Sequence, residues 1–438
     1  MRLRAWLVSF VAVSVLGVAA GSATAAVPPG QDPFYSYSGT TPLSQIAPGT
    51  VLKSRTTSMH IVGIPTAITA VQLLYRSTGQ RGQATVNVTS ILKPLLQIGT
   101  ARVVSYQSFY DSLNQDDEPS YQVTGGGLSI GGAIPQLESG LVQPLLLAGY
   151  TIAVPDTEGQ AADFAAGPEY GYNTLDGLRA AVNARSQTGV SSSSKIGMIG
   201  YSGGAIATEW AAELAPSYAP DVDRNLIGSA MGGVLVDPAH NLHYVDGTPI
   251  WAGVMPMAIV GVARAFNINL TPYLSAKGTE VYNAMQKTSI TNVLGQYPGL
   301  TWAQMAKPQY ATPESVPEYV HAANQLIMGT APGSPNHPLF IGQGANGILE
   351  GTPGDKPGIG AGDGVMIAGD VRTLARQYCA AGVKVQYDQY DLTSHVTSAI
   401  PWLGEAVPWL TARFAGLPAP KNCSSIAAGN ALTPIPES

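Results

Sequence analysis

The chain has 438 residues, of which 45% are hydrophobic and only 11% charged. That balance supplies a sizeable core and excludes a mostly disordered protein, which needs low hydrophobicity and high charge. The 22 basic and 28 acidic residues give a formal charge of −6 with no basic block, so the electrostatic footprint of a nucleic-acid binder is missing.

Residues 1–25 read as a secretory signal peptide. Arg2 and Arg4 form a short basic start, a mostly apolar run follows over residues 5–18, and Ala23-Thr24-Ala25 fits a small-residue cleavage site. The run is too short to span a bilayer comfortably. Its removal takes two arginines and no acid, moving the formal charge from −6 to −8. No later stretch is long and apolar enough for a transmembrane helix, so an exported, soluble protein is expected.

Strand patterns lie at residues 50–55, 70–75, 83–88 and 101–106, each β-rich and bounded by turn residues. Strand and helix then alternate. Strand 150–154 precedes helix 172–184, which carries Leu175, Leu178, Ala181 and Val182 on one face, and strand 195–199 precedes helix 205–214. The alternation stops near Asp237 and resumes after Pro338 with strand 339–341, helix 371–380 and strand 383–387. This order predicts an α/β fold with a mostly parallel sheet flanked by helices. Residues 237–337 read as a helical lid or cap inserted between two parts of the core, 26–236 and 338–438. The uncharged stretch 249–263 fits an ordinary set of core helices equally well.

Gly200-Tyr201-Ser202-Gly203-Gly204 matches the G-x-S-x-G nucleophile elbow, between an apolar strand and an Ala-rich helix. A second copy, Gly127-Leu128-Ser129-Ile130-Gly131, follows two further glycines and has no convincing strand before it. Context therefore favours Ser202. Of six histidines, His240, His243 and His321 fall in the insertion and His60 precedes the nucleophile. His337 borders the start of a strand, the wrong end for catalysis in a parallel sheet. His395 remains as the base, in a short loop after the last strand. The acid should follow strand 339–341, where Glu350, Asp355, Asp363 and Asp370 compete. Asp370 reads as a helix N-cap and Asp355 as an exposed turn residue, which favours Asp363 while leaving Asp355 open. Cys379 and Cys423 are the only cysteines, an even count that in an exported protein favours a bridge over two free thiols. Such a bridge would pin the C-terminal tail to the last helix of the core.

Taken together, Asp32-Pro33-Phe34-Tyr35, Pro48-Gly49-Thr50-Val51-Leu52, Leu74-Tyr75-Arg76, Tyr106-Gln107-Ser108-Phe109-Tyr110-Asp111-Ser112, Asp156-Thr157-Glu158-Gly159, Leu175-Asp176-Gly177, the elbow and Ser217-Tyr218-Ala219-Pro220 resemble the secretory lipase family. These are the lipase A-like α/β-hydrolases of yeasts and actinobacteria. The resemblance implies Ser202 as nucleophile, Asp363 as acid and His395 as base. It also implies an oxyanion site from the Gly203 N–H and Asp111, a helical lid, and a Cys379–Cys423 disulfide. One departure concerns the acid, which family members usually place soon after the strand, near the position Gly347 takes here. Asp111 can serve an oxyanion only if protonated, since an ionised carboxylate would repel it; a structural carboxylate held by backbone groups is the alternative.

The expected function is a secreted serine ester hydrolase, a triacylglycerol lipase working without metal or organic cofactor, on acylglycerols or other esters and at a lipid–water interface. A short-chain carboxylesterase, an acyltransferase on the same acyl-enzyme, or a catalytically inactive binding protein are the alternatives.

Overall fold

The computed structural model describes residues 26–127 and 129–437. The segment read as a signal peptide, 1–25, lies outside these residues. The first strands, β1 (Val51–Ile61), β2 (Ile64–Thr78) and β3 (Ala84–Lys93), run well past the short patterns expected and pair as an antiparallel meander. Val62 and Gly63, between β1 and β2, both have positive φ (48° and 73°), the twist that a two-residue hairpin turn requires.

Then follow β4 (Val103–Gln107), α1 (Ala133–Leu141), β5 (Thr151–Pro155), α2 (Gly167–Asn183), β6 (Ile196–Tyr201), α3 (Gly203–Tyr218) and β7 (Leu226–Gly232). Between β7 and the next strand the chain forms α4 (Pro238–Val245), α5 (Val254–Phe266), α6 (Ala276–Met285) and α7 (Pro317–Gln325), with shorter turns. The last elements are β8 (Leu339–Gly344), α8 (Ala368–Ala380), β9 (Val385–Tyr390) and α9 (His395–Phe414).

Among the described residues nine strands join one sheet in the order β1-β2-β3-β5-β4-β6-β7-β8-β9. From β5 across to β9 every pairing is parallel. β4, β5 and β6 are buried along their whole length, as parallel strands covered on both faces must be. On one face Leu175 and Leu178 of α2, Trp210 of α3 and Leu374 of α8 form the core. On the other, Trp402, Trp409, Leu410 and Phe414 of α9 pack with Leu145, Leu146 and Phe340. Parallel strands so covered place all their carboxyl ends at one edge, where loops can gather reactive groups.

Three elements outside the insertion escaped the sequence patterns: α1, β7 and α9. β7, Leu226-Ile227-Gly228-Ser229-Ala230-Met231-Gly232, is made largely of small residues because α9 lies on it. A Cβ at Gly228 would sit 2.9 Å from the Trp409 ring. α9 carries Pro401 and Pro408, which read as breakers. They fall two turns apart, Pro401 half-buried and Pro408 exposed, each a little over a quarter-turn round the helix from the tryptophan that follows it. Cys379 and Cys423 form a disulfide. It fastens the tail to α8, the helix before the last, because α9 follows it. Closing a loop across 44 residues contributes about 4 kcal/mol in the chain-entropy account. Among the described residues no helix is long and apolar enough to cross a membrane.

Candidate active site

Ser202 stands at the carboxyl end of β6, where the chain turns directly into α3. Its φ of 54° and ψ of −121° lie in a region that residues with a side chain seldom adopt. The turn is held by the Ser202 N–H donating to Gly232 O of β7 at 2.8 Å. A Cβ at Gly204 would lie 2.1 Å from Gln107 O, so only glycine lets α3 begin this close to β4. The hydroxyl is thereby presented at the edge of the sheet.

His395 is the first residue of α9 rather than a member of a short loop. Its Nε2 lies 2.7 Å from Ser202 Oγ and its Nδ1 2.8 Å from Asp363 Oδ2. Its main-chain N–H donates to Asp363 O at 2.7 Å, so one aspartate holds both ring and backbone. The Tyr201 hydroxyl donates to His395 O at 2.6 Å. Burial opposes the imidazolium, but Asp363, aided by Glu350 and Asp111, outweighs it and holds the imidazole pKa above its ordinary value.

Asp363 is fully buried and fully used. Oδ2 also accepts from Gln343 Nε2 at 2.9 Å, while Oδ1 accepts the N–H groups of Val365 (3.1 Å) and Met366 (2.7 Å). Asp355 is exposed. Asp370 is not the N-cap of α8, which is Ile367. It sits in the first turn, where it meets His240 Nδ1 at 3.0 Å and accepts from Asn430 Nδ2 at 2.7 Å. Glu350 is buried beside the site.

The other histidines lie elsewhere. His337 is buried against Ser229 Oγ at 2.7 Å, and burial lowers its pKa to about 4. Ser129 Oγ donates to Asp117 Oδ1 at 3.1 Å and accepts from the Gly132 N–H at 2.8 Å, both within its own corner.

Asp111 follows β4 with φ of 38°. Its carboxyl presses on Gly203, where an added Cβ would lie 1.6 Å from Oδ1. Burial pushes its pKa up to about 8, with His395 opposing and Glu138 of α1 adding. Burial thus favours its protonated form, which can donate a hydrogen bond. The Gly203 N–H, at the first position of α3, has no partner within the helix.

The helices between β7 and β8 enclose an apolar cavity of about 160 Å³, lined by Leu242, Ile259, Tyr282, Met305 and Ala322 and reaching Val365, two residues from Asp363. Near the edge that carries Ser202 and His395, Ile348, Leu349, Leu392, Val396 and Ile400 are each between 60% and 83% exposed. Ile348 and Leu349 belong to the turn after β8, Leu392 to the loop after β9, and Val396 and Ile400 to the start of α9; the Asn346 N–H donates to Thr393 O at 3.0 Å and ties the two loops together. Among the described residues no group of three or more His, Cys, Asp or Glu is placed to hold a metal. Gln343 and Tyr201 went unnoticed in the sequence. For Gln343 a signal existed, a lone amide in the otherwise apolar run Leu339-Phe340-Ile341-Gly342-Gln343.

A parallel sheet whose sharp strand-to-helix turn presents a serine to a histidine from beyond the last strand defines an α/β-hydrolase. Residues 127–346 and 359–422 match the Secretory lipase family, and the chain belongs to that family. Lipase 1 of Candida albicans is 30% identical over 371 residues, 80% of this chain and 73% of that protein. Lipase A of Arthroderma benhamiae is 30% identical over 421 residues, 92% of this chain and 83% of that protein. A Mycobacterium tuberculosis protein named as a probable inactive lipase is 29% identical over 400 residues, 89% of this chain and 83% of that protein. The X-ray structure of Candida antarctica lipase A in its closed state is similar with a TM-score of 0.80 and 26% identity, covering 95% of this chain and 93% of that one.

Proposed function

We propose that the protein is a secreted serine hydrolase of carboxylic esters, with acylglycerols as its substrates. The observation that carries this reading is the hydrogen-bonded series Ser202 Oγ, His395 Nε2, His395 Nδ1, Asp363 Oδ2, at 2.7 Å and 2.8 Å, on a strained elbow. Ser202 attacks the ester carbonyl as His395 Nε2 takes its proton, and Asp363 fixes the tautomer and stabilises the imidazolium. The Gly203 N–H and the proton of Asp111 receive the negative charge that develops on the carbonyl oxygen. His395 then protonates the departing alcohol. In the second half, water gives a proton to His395 as it attacks the acyl-enzyme; the acyl–Oγ bond then breaks, His395 returns the proton to Ser202 Oγ, and the carboxylic acid leaves.

Acylglycerols are favoured over small soluble esters by the apolar cavity, which suits an acyl chain, and by the exposed apolar rim, which suits an oil surface. Residues 237–337 act as a lid over the site, a reading supported by similarity to a lipase in its closed state. The name of the Mycobacterium relative raises a second reading, an inactive binding protein, and one experiment separates the two. The wild-type protein is expected to label with a fluorophosphonate probe and hydrolyse emulsified long-chain esters. Ser202→Ala loses labelling and on the order of a millionfold in rate while its melting temperature stays close to wild type. Normal turnover by that variant, loss of activity only in Ser129→Ala, or no labelling of the wild type overturns the reading.

A further inference from the structure

Glu350 lies beyond β8, at the end of the short 3-10 turn Gly347–Glu350. It is buried, and both its carboxylate oxygens are used. Oε1 accepts the N–H of Val396 at 2.9 Å and Oε2 accepts the indole N–H of Trp251 at 2.8 Å. Both partners touch the histidine. Val396 directly follows His395 in the first turn of α9. Trp251, between α4 and α5, stands edge-on to the His395 ring, with centroids 5.3 Å apart and planes at 87°.

The glutamate–tryptophan pair also packs on the acid's backbone. Gly364 follows Asp363 with φ of 129°, and a Cβ there would lie 2.7 Å from Glu350 Oε2 and 2.9 Å from Trp251 Nε1. Ser394 and Thr397 form a capping box at the start of α9, which leaves the Val396 N–H, at the second helical position, to Glu350. Burying a carboxylate is costly, and two neutral N–H donors offset that only in part. The cost is understandable if the charge acts on the imidazole. The groups facing His395 are Asp363, Glu350 and Asp111, with the Tyr201 phenol ring 5.3 Å away. Asp363 contributes most to raising the imidazole pKa, then Glu350, then Asp111.

We infer that Glu350 is a positioning residue for the ester hydrolysis proposed above, on which this inference rests: it fixes Trp251 against His395 and sets a second negative charge beside the imidazolium. One carboxylate then links the helical insertion to the placement of the base. When the insertion moves, Trp251 leaves Oε2 while the Val396 N–H stays. The imidazole loses its aromatic wall but keeps the charge.

The test is the pH profile of Glu350→Gln on a soluble short-chain ester. Glutamine keeps the shape, and its amide oxygen retains one acceptor. The acidic limb of kcat/KM is expected to move to lower pH by about one unit, because His395 stays neutral further into acid once the charge is gone. The kcat falls about tenfold with KM changed less than twofold, the signature of support lost in the transition state. Trp251→Phe removes the indole N–H but leaves the charge, so its limb stays with wild type while kcat falls. A Glu350→Gln limb coincident with wild type overturns the inference, whether kcat is unchanged or falls only with the melting temperature, since a merely structural role lowers stability without moving the limb. Ser202→Ala in the same assay separates the two failures. If that variant turns over normally, the hydrolase reading has failed; if it is dead and Glu350→Gln shows no shift, only this inference has.

Discussion

Asp363→Asn changes two atoms' chemistry and no volume. The wild-type carboxylate accepts four hydrogen bonds: Oδ2 takes His395 Nδ1 and Gln343 Nε2, and Oδ1 takes the N–H groups of Val365 and Met366. An asparagine has one acceptor to offer. Turning its NH2 toward Val365 and Met366 sets two donors against donors; turning it toward His395 sets only one, Gln343. Each such buried conflict costs about 1–3 kcal/mol, so the amide settles facing the imidazole. There it donates to Nδ1, which forces the ring proton onto Nε2, toward Ser202, where no base remains. The lost anion also withdraws support from the imidazolium. Losing tautomer and charge together costs roughly four orders of magnitude in kcat, or about 5 kcal/mol at 1.36 kcal/mol per tenfold. Asp355→Asn, on an exposed turn, is expected to stay within twofold of wild type, roughly the limit for surface changes of about 0.5 kcal/mol. The assay is kcat on a chromogenic ester, at a temperature where circular dichroism shows both variants folded. Retention of more than about a tenth of wild-type kcat by Asp363→Asn, or a larger loss in Asp355→Asn, refutes the reasoning.

Thermal stability is expected to fall as pH rises from about 5 to 8. Burial raises the folded-state pKa of Asp176 to about 6, of Glu138, Asp156 and Asp163 to about 7, and of Asp111 and Glu169 to about 8. A raised pKa contributes stability that is complete below the unfolded value, 3.8 for Asp or 4.5 for Glu, and is lost as pH climbs through the folded one. His337, lowered to about 4 from 6.5, opposes this trend below pH 6.5, one group against six. Scanning calorimetry that finds a flat or rising melting temperature over this range contradicts the assignment. The apolar rim predicts a substrate-dependent defect. Leu392→Asp or Ile400→Asp should each cost about tenfold or more on an emulsified ester, since an inserted aliphatic side chain is worth about 1.5–3 kcal/mol. Neither should alter turnover of a dissolved short-chain ester, and equal losses on both substrates would remove the rim from interfacial binding.

Much of the fold was legible because its signals are local. The β-rich runs near the start, the helical face of Leu175, Leu178 and Ala181, and the alternation that makes a parallel sheet are all written in neighbouring residues. The elbow was legible for the same reason: the glycines around Ser202 are demanded by backbone crowding within one turn. Strand β7 and helix α9 were not, because their composition answers to each other. Gly228 is small for the sake of Trp409, and α9 runs through Pro401 and Pro408 while Trp402, Trp409, Leu410 and Phe414 pack it onto the sheet. The partners of Ser202 fall between these cases. Elimination and chain order narrowed the base to His395, but four acids stood after β8 at spacings that could not rank them. Only the tertiary structure decided their surroundings, bringing Asp363 to the Nδ1 of His395, Glu350 to the next amide, Asp370 to His240, and leaving Asp355 in solvent. Sequence specifies which chemical groups a loop carries; where each one ends, buried or exposed, depends on partners brought from elsewhere in the chain, from 20 residues away for Asp363 and Gln343 to 130 for Asp370 and His240.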